Sequence, residues 1–366
     1  MIILAIDTSC DDTCLTLLEA KNSRFKILAN IVSSQVKIHQ KWGGVVPTLA
    51  KREHQKNLPL VFKKALKKAK SASRRTKIDL VAVTIGPGLE PCLWTGVNFA
   101  KDLAKKLTLK IIPINHIEAH ILANWLRPIG SNFKNIFPAI CLVVSGGHTQ
   151  LILMREVGKY KILGETRDDA AGECFDKVAK ILGLGYPGGP IVAKMATKFK
   201  IQNSKFKIKL PRPMIFQKNY DFSFSGLKTA VLYNFRAQSP KTRTSKKYIQ
   251  EMCFETQQAI IDVLIKKTIR AAKEFRVKAV ILGGGVAANK ELRRQFKEKI
   301  KKEIPYSKWG PQKREGGGRV VVYIPDSKFC TDNAAMVGVA AYFCWQKGGP
   351  LKSWQKIEVD ANLKIN

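Results

Sequence analysis

Ile140-Cys141-Leu142-Val143-Val144-Ser145-Gly146-Gly147-His148-Thr149-Gln150-Leu151-Ile152-Leu153-Met154 places two apolar runs around a short turn of small and polar residues. Runs of this length, rich in Val, Ile and Leu and bounded by Ser-Gly-Gly, predict two strands joined as a β-hairpin. The first residues carry the same design. Ile2-Ile3-Leu4-Ala5-Ile6-Asp7 leads into Thr8-Ser9-Cys10-Asp11-Asp12-Thr13, and the apolar run Cys14-Leu15-Thr16-Leu17-Leu18 follows. Two strand–turn–strand units more than a hundred residues apart predict a duplicated lobe. Each turn presents backbone N–H groups and hydroxyls that can cradle a phosphate.

The rest of the chain fits an α/β protein with two cores. At 366 residues it exceeds one typical core, and its hydrophobic fraction of 45% is ordinary for a globular chain. No apolar run approaches the roughly 18 residues of a membrane span. Residues 1–6 are too short for a signal segment, so a cytosolic protein is expected. Eight cysteines occur without a Cys-x-x-Cys pair, which argues against a zinc ribbon or a thioredoxin-like site. The formal net charge of +36, from 64 Lys+Arg against 28 Asp+Glu, points to a polyanionic partner. A general lysine bias of the surface is the alternative.

Chemistry concentrates in His116-Ile117-Glu118-Ala119-His120. On a helix, residues i and i+4 share a face, so the two imidazoles can reach one transition-metal ion. Two histidines on the half-polar face of an interdomain helix are the alternative. Only five histidines occur in the chain, and two fall at this spacing. A third ligand is available downstream in Cys330-Thr331-Asp332-Asn333. The strand Ala279-Val280-Ile281-Leu282 runs into Gly283-Gly284-Gly285-Val286-Ala287-Ala288-Asn289, where glycines let a ligand approach the backbone. This loop has neither the G-x-G-x-x-G spacing of a dinucleotide fold nor a P-loop Gly-Lys-Ser/Thr, so an adenosine lying against glycines is the better reading. A helix is expected over 168–179, with Asp176 a candidate hydroxyl-binding carboxylate and Asp168, Asp169 and Glu173 complementing its dipole. An amphipathic helix is expected from 248 to 275. The segments 198–218, 236–247 and 300–319 are basic.

Taken in order, these pieces resemble the two-lobed actin/Hsp70/sugar-kinase architecture (the ASKHA fold), with duplicated β-hairpin-led lobes. The expected lobes are 1–115 completed by 325–366, and 116–324 with basic insertions near 198–218 and 300–319. The resemblance is closer still to one family. Asp-Thr-Ser-Cys-Asp-Asp-Thr (7–13), Trp-Gly-Gly-Val-Val-Pro (42–47), Gly-Pro-Gly-Leu (86–89), Val-Ser-Gly-Gly-His-Thr-Gln-Leu (144–151), Asp-Asp-Ala-Ala-Gly-Glu (168–173), Phe-Ser-Phe-Ser-Gly-Leu-Lys-Thr-Ala (222–230), Gly-Gly-Val-Ala-Ala-Asn (284–289) and Cys-Thr-Asp-Asn-Ala-Ala-Met (330–336) resemble the TsaD family. Its members are tRNA N6-adenosine threonylcarbamoyltransferases, formerly described as O-sialoglycoprotein endopeptidases.

The resemblance implies that His116, His120 and Asp332 bind one divalent ion, Fe2+ or Zn2+. It also implies that Val143, Val144, Ser145, Gly146, Gly147, Asp176, Gly189 and Asn289 bind the adenylate donor threonylcarbamoyl-AMP, with ATP or ADP as a related ligand. The reaction implied is transfer of threonylcarbamoyl to N6 of adenosine 37 in tRNAs reading ANN codons, releasing AMP. The implied partners are tRNA and, in a bacterial-type complex, an actin-like paralogue (TsaB) and a small P-loop ATPase (TsaE). No membrane partner is expected. Asp7 and Asp12 stand where the family commonly has Glu, Ala119 where bacterial members often have Gly, and Glu90-Pro91-Cys92 where small residues are usual. A metallopeptidase is the rival reading, but that signature needs Glu directly after the first His, and Ile117 occupies the position. A non-catalytic ATP-binding relative is the second rival, which the two histidines and Asp332 disfavour.

Overall fold

Strand β1 (Ile2–Asp7) is buried along its whole length. A strand covered on both faces needs apolar residues at successive positions, which Ile2 to Ile6 supply. It pairs antiparallel with β2 (Asp12–Lys21), and β2 pairs with β3 (Arg24–Ser34). On its other side β1 runs parallel to β4 (Leu80–Gly86), which runs parallel to β5 (Ile111–Asn115). The sheet order is β3-β2-β1-β4-β5. Helices α2 (Pro47–Ala72) and α3 (Glu90–Leu107) cover one face, where Leu58, Val61, Val97 and Ala100 share a core with Ile2, Leu4 and Ile6. The short α1 (Val36–His39) precedes α2. Helix α11 (Ala334–Gln346) packs on β1 and β2 from the other face, a Cβ at Gly338 meeting Leu18 at 3.0 Å and Ala5 at 3.5 Å.

The second sheet follows the same path. Strands β6 (Ala139–Val144), β7 (Thr149–Glu156) and β8 (Lys159–Glu165) form an antiparallel meander. Strand β6 runs parallel to β9 (Ala279–Gly283), and β9 parallel to β10 (Val321–Tyr323), giving the order β8-β7-β6-β9-β10. Around it lie α5 (Ala171–Ile181), α6 (Gly188–Ile201), α7 (Ser225–Ala237), α8 (Pro240–Arg243), α9 (Lys246–Glu274) and α10 (Lys290–Glu303). The two hairpins expected from sequence are therefore β1–β2 and β6–β7, each opening a five-stranded sheet of identical topology. The chain has a two-lobed α/β fold.

This description rests on a computed structural model that covers residues 1–73, 77–126, 136–201, 208–304, 320–349 and 354–366. Residues 202–207 and 305–319, within the basic stretches 198–218 and 300–319, lie outside the described residues. The chain divides into one unit of Met1–Gly130 with Pro325–Asn366 and a second of Ser131–Ile324. The division thus falls at 130, where the sequence reading set it at 115. Helix α4 (His116–Leu122) and the 3-10 turn Ala123–Leu126 bury Ile117, Ile121, Leu122 and Trp125 within the first unit, against α11. Trp125 meets Phe343 of α11 edge to face, with ring centroids 6.3 Å apart.

Two expectations change with the structure. Asp168 and Asp169 precede α5, and Asp168 caps a different helix. Its carboxylate accepts from Ser223 Oγ at 2.5 Å, Ser225 Oγ at 2.7 Å and the N–H groups of Phe224 and Ser225 at 2.8 and 3.2 Å, closing the N-terminus of α7. Burial pushes the Asp168 carboxyl up, but these bonds together outweigh it and hold the group below the usual carboxylate range. Helix α9 is buried far beyond one stripe, and its Glu251 and Glu255 turn inward to accept from the N–H groups of Ile208 and Leu210 at 2.9 and 3.2 Å. That carboxylate strap fixes an extended segment which Pro211 and Pro213 keep out of helix.

Gly284 follows β9 with φ +88°, and a Cβ there would sit 2.3 Å from the Val144 carbonyl oxygen. Gly284→Ala should lower unfolding free energy by about 2–3 kcal/mol, combining backbone strain with a forced shift of β6. Urea denaturation of the two proteins measures the difference.

Candidate metal centre and phosphate turns

Asn115 ends β5 and caps α4, its Oδ1 accepting from the N–H groups of Ile117 and Glu118 at 2.8 and 3.2 Å. The cap sets where the helix begins, and so puts His116 and His120 one turn apart on its inward face. Their rings lie 4.5 Å apart, nearly edge to face. Asp332 arrives by a similar device. Asn333 caps α11, accepting from Met336 N–H at 3.2 Å while its Nδ2 donates to the Thr331 carbonyl at 2.8 Å. Because α4 packs on α11, Asp332 Oδ1 comes within 3.5 Å of His116 Nε2 and 3.4 Å of His120 Nε2.

The donor set fits a transition metal. Ligand atoms held at about 2.1 Å from one ion in tetrahedral array lie about 3.4 Å from each other. The two Asp332 contacts have that separation, and one atom from each residue falls within 4.8 Å of the others. Both histidines are buried, and both ring nitrogens of His120 lack a hydrogen-bond partner. Such orphaned polar atoms are costly without an ion or water. Three protein ligands leave a position open, as catalytic metal sites do. Glu118 lies two residues from each histidine, about 200° around the helix, and so projects away from the ligand face.

Electrostatics favours a cation at the same place. Burial would depress the His116 imidazolium, but Asp7 and Asp332 outweigh it and raise its pKa to about 10. Burial together with neighbouring His116 keeps His120 low, hence neutral. Asp332 is held well below the ordinary carboxylate range, His116 and His120 overcoming its desolvation. Burial pushes the Asp12 carboxyl up to about 7; a bond from Ser34 opposes this, and Asp332, Asp11 and Asp7 add to it.

The structure adds one residue to those named from sequence. Asp7 Oδ2 faces His116 Nδ1 at 3.2 Å, on the ring edge opposite Asp332. Neither atom has a hydrogen-bond partner, while Asp7 Oδ1 is fixed by Ser9 N–H at 3.0 Å. A carboxylate behind a ligating imidazole sets its tautomer and orientation. The signal in the sequence is a buried Asp at the end of the first strand. Two more histidines are structural. His54 Nδ1 meets Thr13 Oγ1 at 2.8 Å and its Nε2 meets the Cys10 carbonyl at 3.0 Å, while His39 Nε2 meets Gln35 Oε1 at 3.0 Å.

The second unit gathers most of the other candidates at the C-terminal ends of β6 and β9. Residues 143 and 144 end β6, and the turn 145–148 closes on itself, Ser145 N–H donating to the His148 carbonyl at 2.8 Å. Gly172, in the first turn of α5, packs so closely that a Cβ would lie 2.4 Å from the Ser145 carbonyl oxygen. Gly146 and Gly147 have open space where side chains would project. Gly188 N–H donates to Asp176 Oδ1 at 2.7 Å, which brings Asp176 beside Gly189 in the first turn of α6. Asn289 caps α10, accepting from Glu291 and Leu292 N–H at 3.0 Å each, and its Nδ2 donates to Gln257 Oε1 at 2.8 Å. Gln257, buried on α9, was not singled out in the sequence, where one Gln on a long helix carries no signal.

Comparison with known proteins gives a consistent result. Residues 26–339 match the family described as TsaD: tRNA N6-adenosine threonylcarbamoyltransferase. A relative of that name from Thermosipho africanus is 43% identical over 366 residues, the whole of both chains. Another from Geobacillus kaustophilus is 44% identical over 94% of this chain and 92% of its own. Among solved structures, T. kodakarensis HypF superposes with a TM-score of 0.54 at 15% identity, covering 95% of this chain and 48% of that one. That likeness speaks to the fold alone.

Purified protein stripped with chelator and reloaded should bind one divalent ion per chain. His120→Ala should abolish stoichiometric binding, and Asp7→Ala should weaken it about 10- to 100-fold while leaving three ligands in place. Isothermal titration with Zn2+ and Fe2+ reads both outcomes, and a circular-dichroism melt separates lost affinity from lost fold.

Proposed function

The chain belongs to the tRNA N6-adenosine threonylcarbamoyltransferase family, and on that premise we propose that His116, His120 and Asp332 hold its divalent ion while the turns of the second unit hold its adenylate donor. The protein is a transferase of tRNA modification. It moves a threonylcarbamoyl group to N6 of adenosine 37 and so forms threonylcarbamoyladenosine. The observation that carries the assignment of the centre is the convergence of two buried α4 imidazoles, with orphaned nitrogens, on the partly buried Asp332.

The chemistry asks for two things from the protein. An exocyclic amine is a weak nucleophile, so the carbamoyl carbon must be made electrophilic. An ion bound by His116, His120 and Asp332, Fe2+ or Zn2+, supplies Lewis-acid polarisation of that kind. The departing AMP carries a phosphate whose growing negative charge must be met. The N–H groups of Gly146 and Gly147, with no side chains crowding them, suit that role, while Ser145 N–H is spent closing the turn. Residues 143 and 144 position the turn by ending β6 against Gly284. Asp176, oriented through its bond from Gly188 N–H, is the carboxylate for a ribose hydroxyl, with Gly189 alongside. Asn289 is rigid because its oxygen caps α10 and its amide meets Gln257, which leaves it as a fixed polar edge for the adenine side. Burial pushes the Cys14, Cys92 and Cys174 thiols up, which disfavours them as nucleophiles and supports direct transfer from the adenylate.

ATP or ADP, sharing the adenosine, would occupy the same loops. The tRNA substrate accords with a net charge of +36. For partners we take the bacterial arrangement, an actin-like paralogue (TsaB) and a small P-loop ATPase (TsaE), on the strength of the motifs quoted above. Among the described residues no helix is long and apolar enough to cross a membrane; the tRNA substrate supports a cytoplasmic location.

Label from threonylcarbamoyl-AMP should transfer to tRNA bearing adenosine 37, assayed with the partner proteins, and His116→Ala should remove the product. Asp176→Ala and Asn289→Ala should raise the adenylate KM at least about tenfold with metal content unchanged. Absence of product from wild-type protein with its partners would overturn the assignment; unchanged adenylate KM in both variants would overturn the donor site.

A further inference from the structure

From Phe222 to Gln250 the chain contains no Asp or Glu, yet it carries Lys228, Arg236, Lys241, Arg243, Lys246 and Lys247. The fold turns this stretch into a corner made of the end of α7, the short α8 and the start of α9. Tyr248 OH donates to Asn234 Oδ1 at 2.9 Å, and the Tyr248 and Phe235 rings lie 6.4 Å apart, so the first turn of α9 is fixed against the last turns of α7. Arg243 folds inward. Its guanidinium lies over the Phe235 ring at 5.4 Å, and it donates to the carbonyls of Gln238 and Arg236 that end α7. Lys228 leans toward Asp169 at 3.7 Å.

The remaining four cations, Arg236, Lys241, Lys246 and Lys247, are exposed, and none pairs with an acidic side chain among the described residues. Several other cations of this unit are compensated, Arg212 by Glu255 and Asp262, Lys177 by Asp169 and Glu173, and Lys299 by Asp262; what sets the corner apart is an acid-free run of 29 residues. A cavity of about 410 Å³ lined by Arg212, Phe216, Asp262, Lys266, Lys299 and Glu303 is excluded as a polyanion site on that account. One turn from Arg236, on the same helix face, Tyr233 stands 65% exposed. Unpaired cations around an exposed aromatic ring are the composition of a single-strand RNA contact, phosphates meeting the cations and a base face meeting the ring.

The other end of α7 is pinned by Asp168, directly before α5 and its Asp176. Thirteen residues of helix span about 20 Å. That is the length of about six stacked nucleotides at roughly 3.4 Å each. We propose that this corner is an RNA contact, with Arg236, Lys241, Lys246 and Lys247 on backbone phosphates and Tyr233 stacked on an unpaired base flanking the modified adenosine. The inference rests on the tRNA reading above and names where the substrate is gripped.

The test compares three full-length proteins assayed with the partner proteins: wild type, a corner variant (Arg236→Ala, Lys241→Ala, Lys246→Ala, Lys247→Ala), and a control with as many neutralisations on α2 (Lys63→Ala, Lys64→Ala, Lys67→Ala, Lys68→Ala). Filter binding of tRNA across a salt series gives the slope of log affinity against log salt, and steady-state transfer gives KM for tRNA. Four lost phosphate contacts should reduce that slope by about 3 in the corner variant alone, with tRNA KM raised and adenylate KM, kcat and melting temperature unchanged. Tyr233→Ala should weaken tRNA binding about tenfold with little change in slope. Equal slopes in wild type and corner variant, or an equal loss in the α2 control, overturn the proposal. So does normal tRNA binding with lost assembly, which would assign the corner to an acidic protein partner. If wild type itself transfers no label, the tRNA reading has failed before the corner is tested.

Discussion

A carboxylate taken out of water must meet positive charge or give up its own. Asp332 answers that constraint by facing two imidazoles, and the first unit is arranged to allow it. Helix α11 carries Ala334, Ala335, Gly338, Ala340 and Ala341, so it lies close on β1 and β2, and α4 can then lie close on α11. A bulkier helix would push Asp332 away from His116 and His120. Asn caps at both 115 and 333 fix where the two helices start, which sets the angular position of each ligand. Asp7 completes the arrangement from the end of β1, so four side chains from three separated stretches of sequence meet around one small volume.

Much of this was legible before any coordinates. The paired hairpins declared themselves because strands buried on both faces need unbroken apolar runs, and such runs are conspicuous. The histidine pair was legible because its ligand geometry is local to one helical turn. What stayed hidden depends on contacts distant in sequence. Asp168 looks like a helix-dipole residue for α5 and instead caps α7, since the serines it holds lie more than fifty residues away. That α4 packs with the first unit was not legible, because an apolar α4 face tells that it is buried, not which core it joins. Helix α9 lost its expected single stripe because Glu251, Glu255 and Lys267 are turned inward onto backbone groups, a use of charge that periodicity scores as solvent-facing.

The two units divide the chemistry. The histidines, Asp332 and Asp7 belong to the first; the glycine turn, Asp176, Gly189 and Asn289 belong to the second. In both, some of these residues come from places where the chain leaves a parallel strand: Asp7 ends β1 and His116 follows β5, while Val144 ends β6 at the 145–147 turn and the loop to Asn289 follows β9. That recurrence follows from the shared topology: β1 with β4 and β5 corresponds to β6 with β9 and β10. One half was furnished with imidazoles and carboxylates, the other with glycines.

The first unit is built from both ends of the chain, with the whole second unit inserted between them. On a ribosome adding about 5–20 residues per second, roughly two hundred residues separate the emergence of His120 from that of Asp332, an interval of about 10–40 s. Throughout it the β1–β2 face that Gly338 will cover stays open, and by its end every strand of the second sheet has been synthesised. The nascent chain therefore passes through a stage in which its second unit can be complete and its first is not. Assembly order, fixed by connectivity alone, withholds the meeting of His116, His120 and Asp332 until α11 has docked.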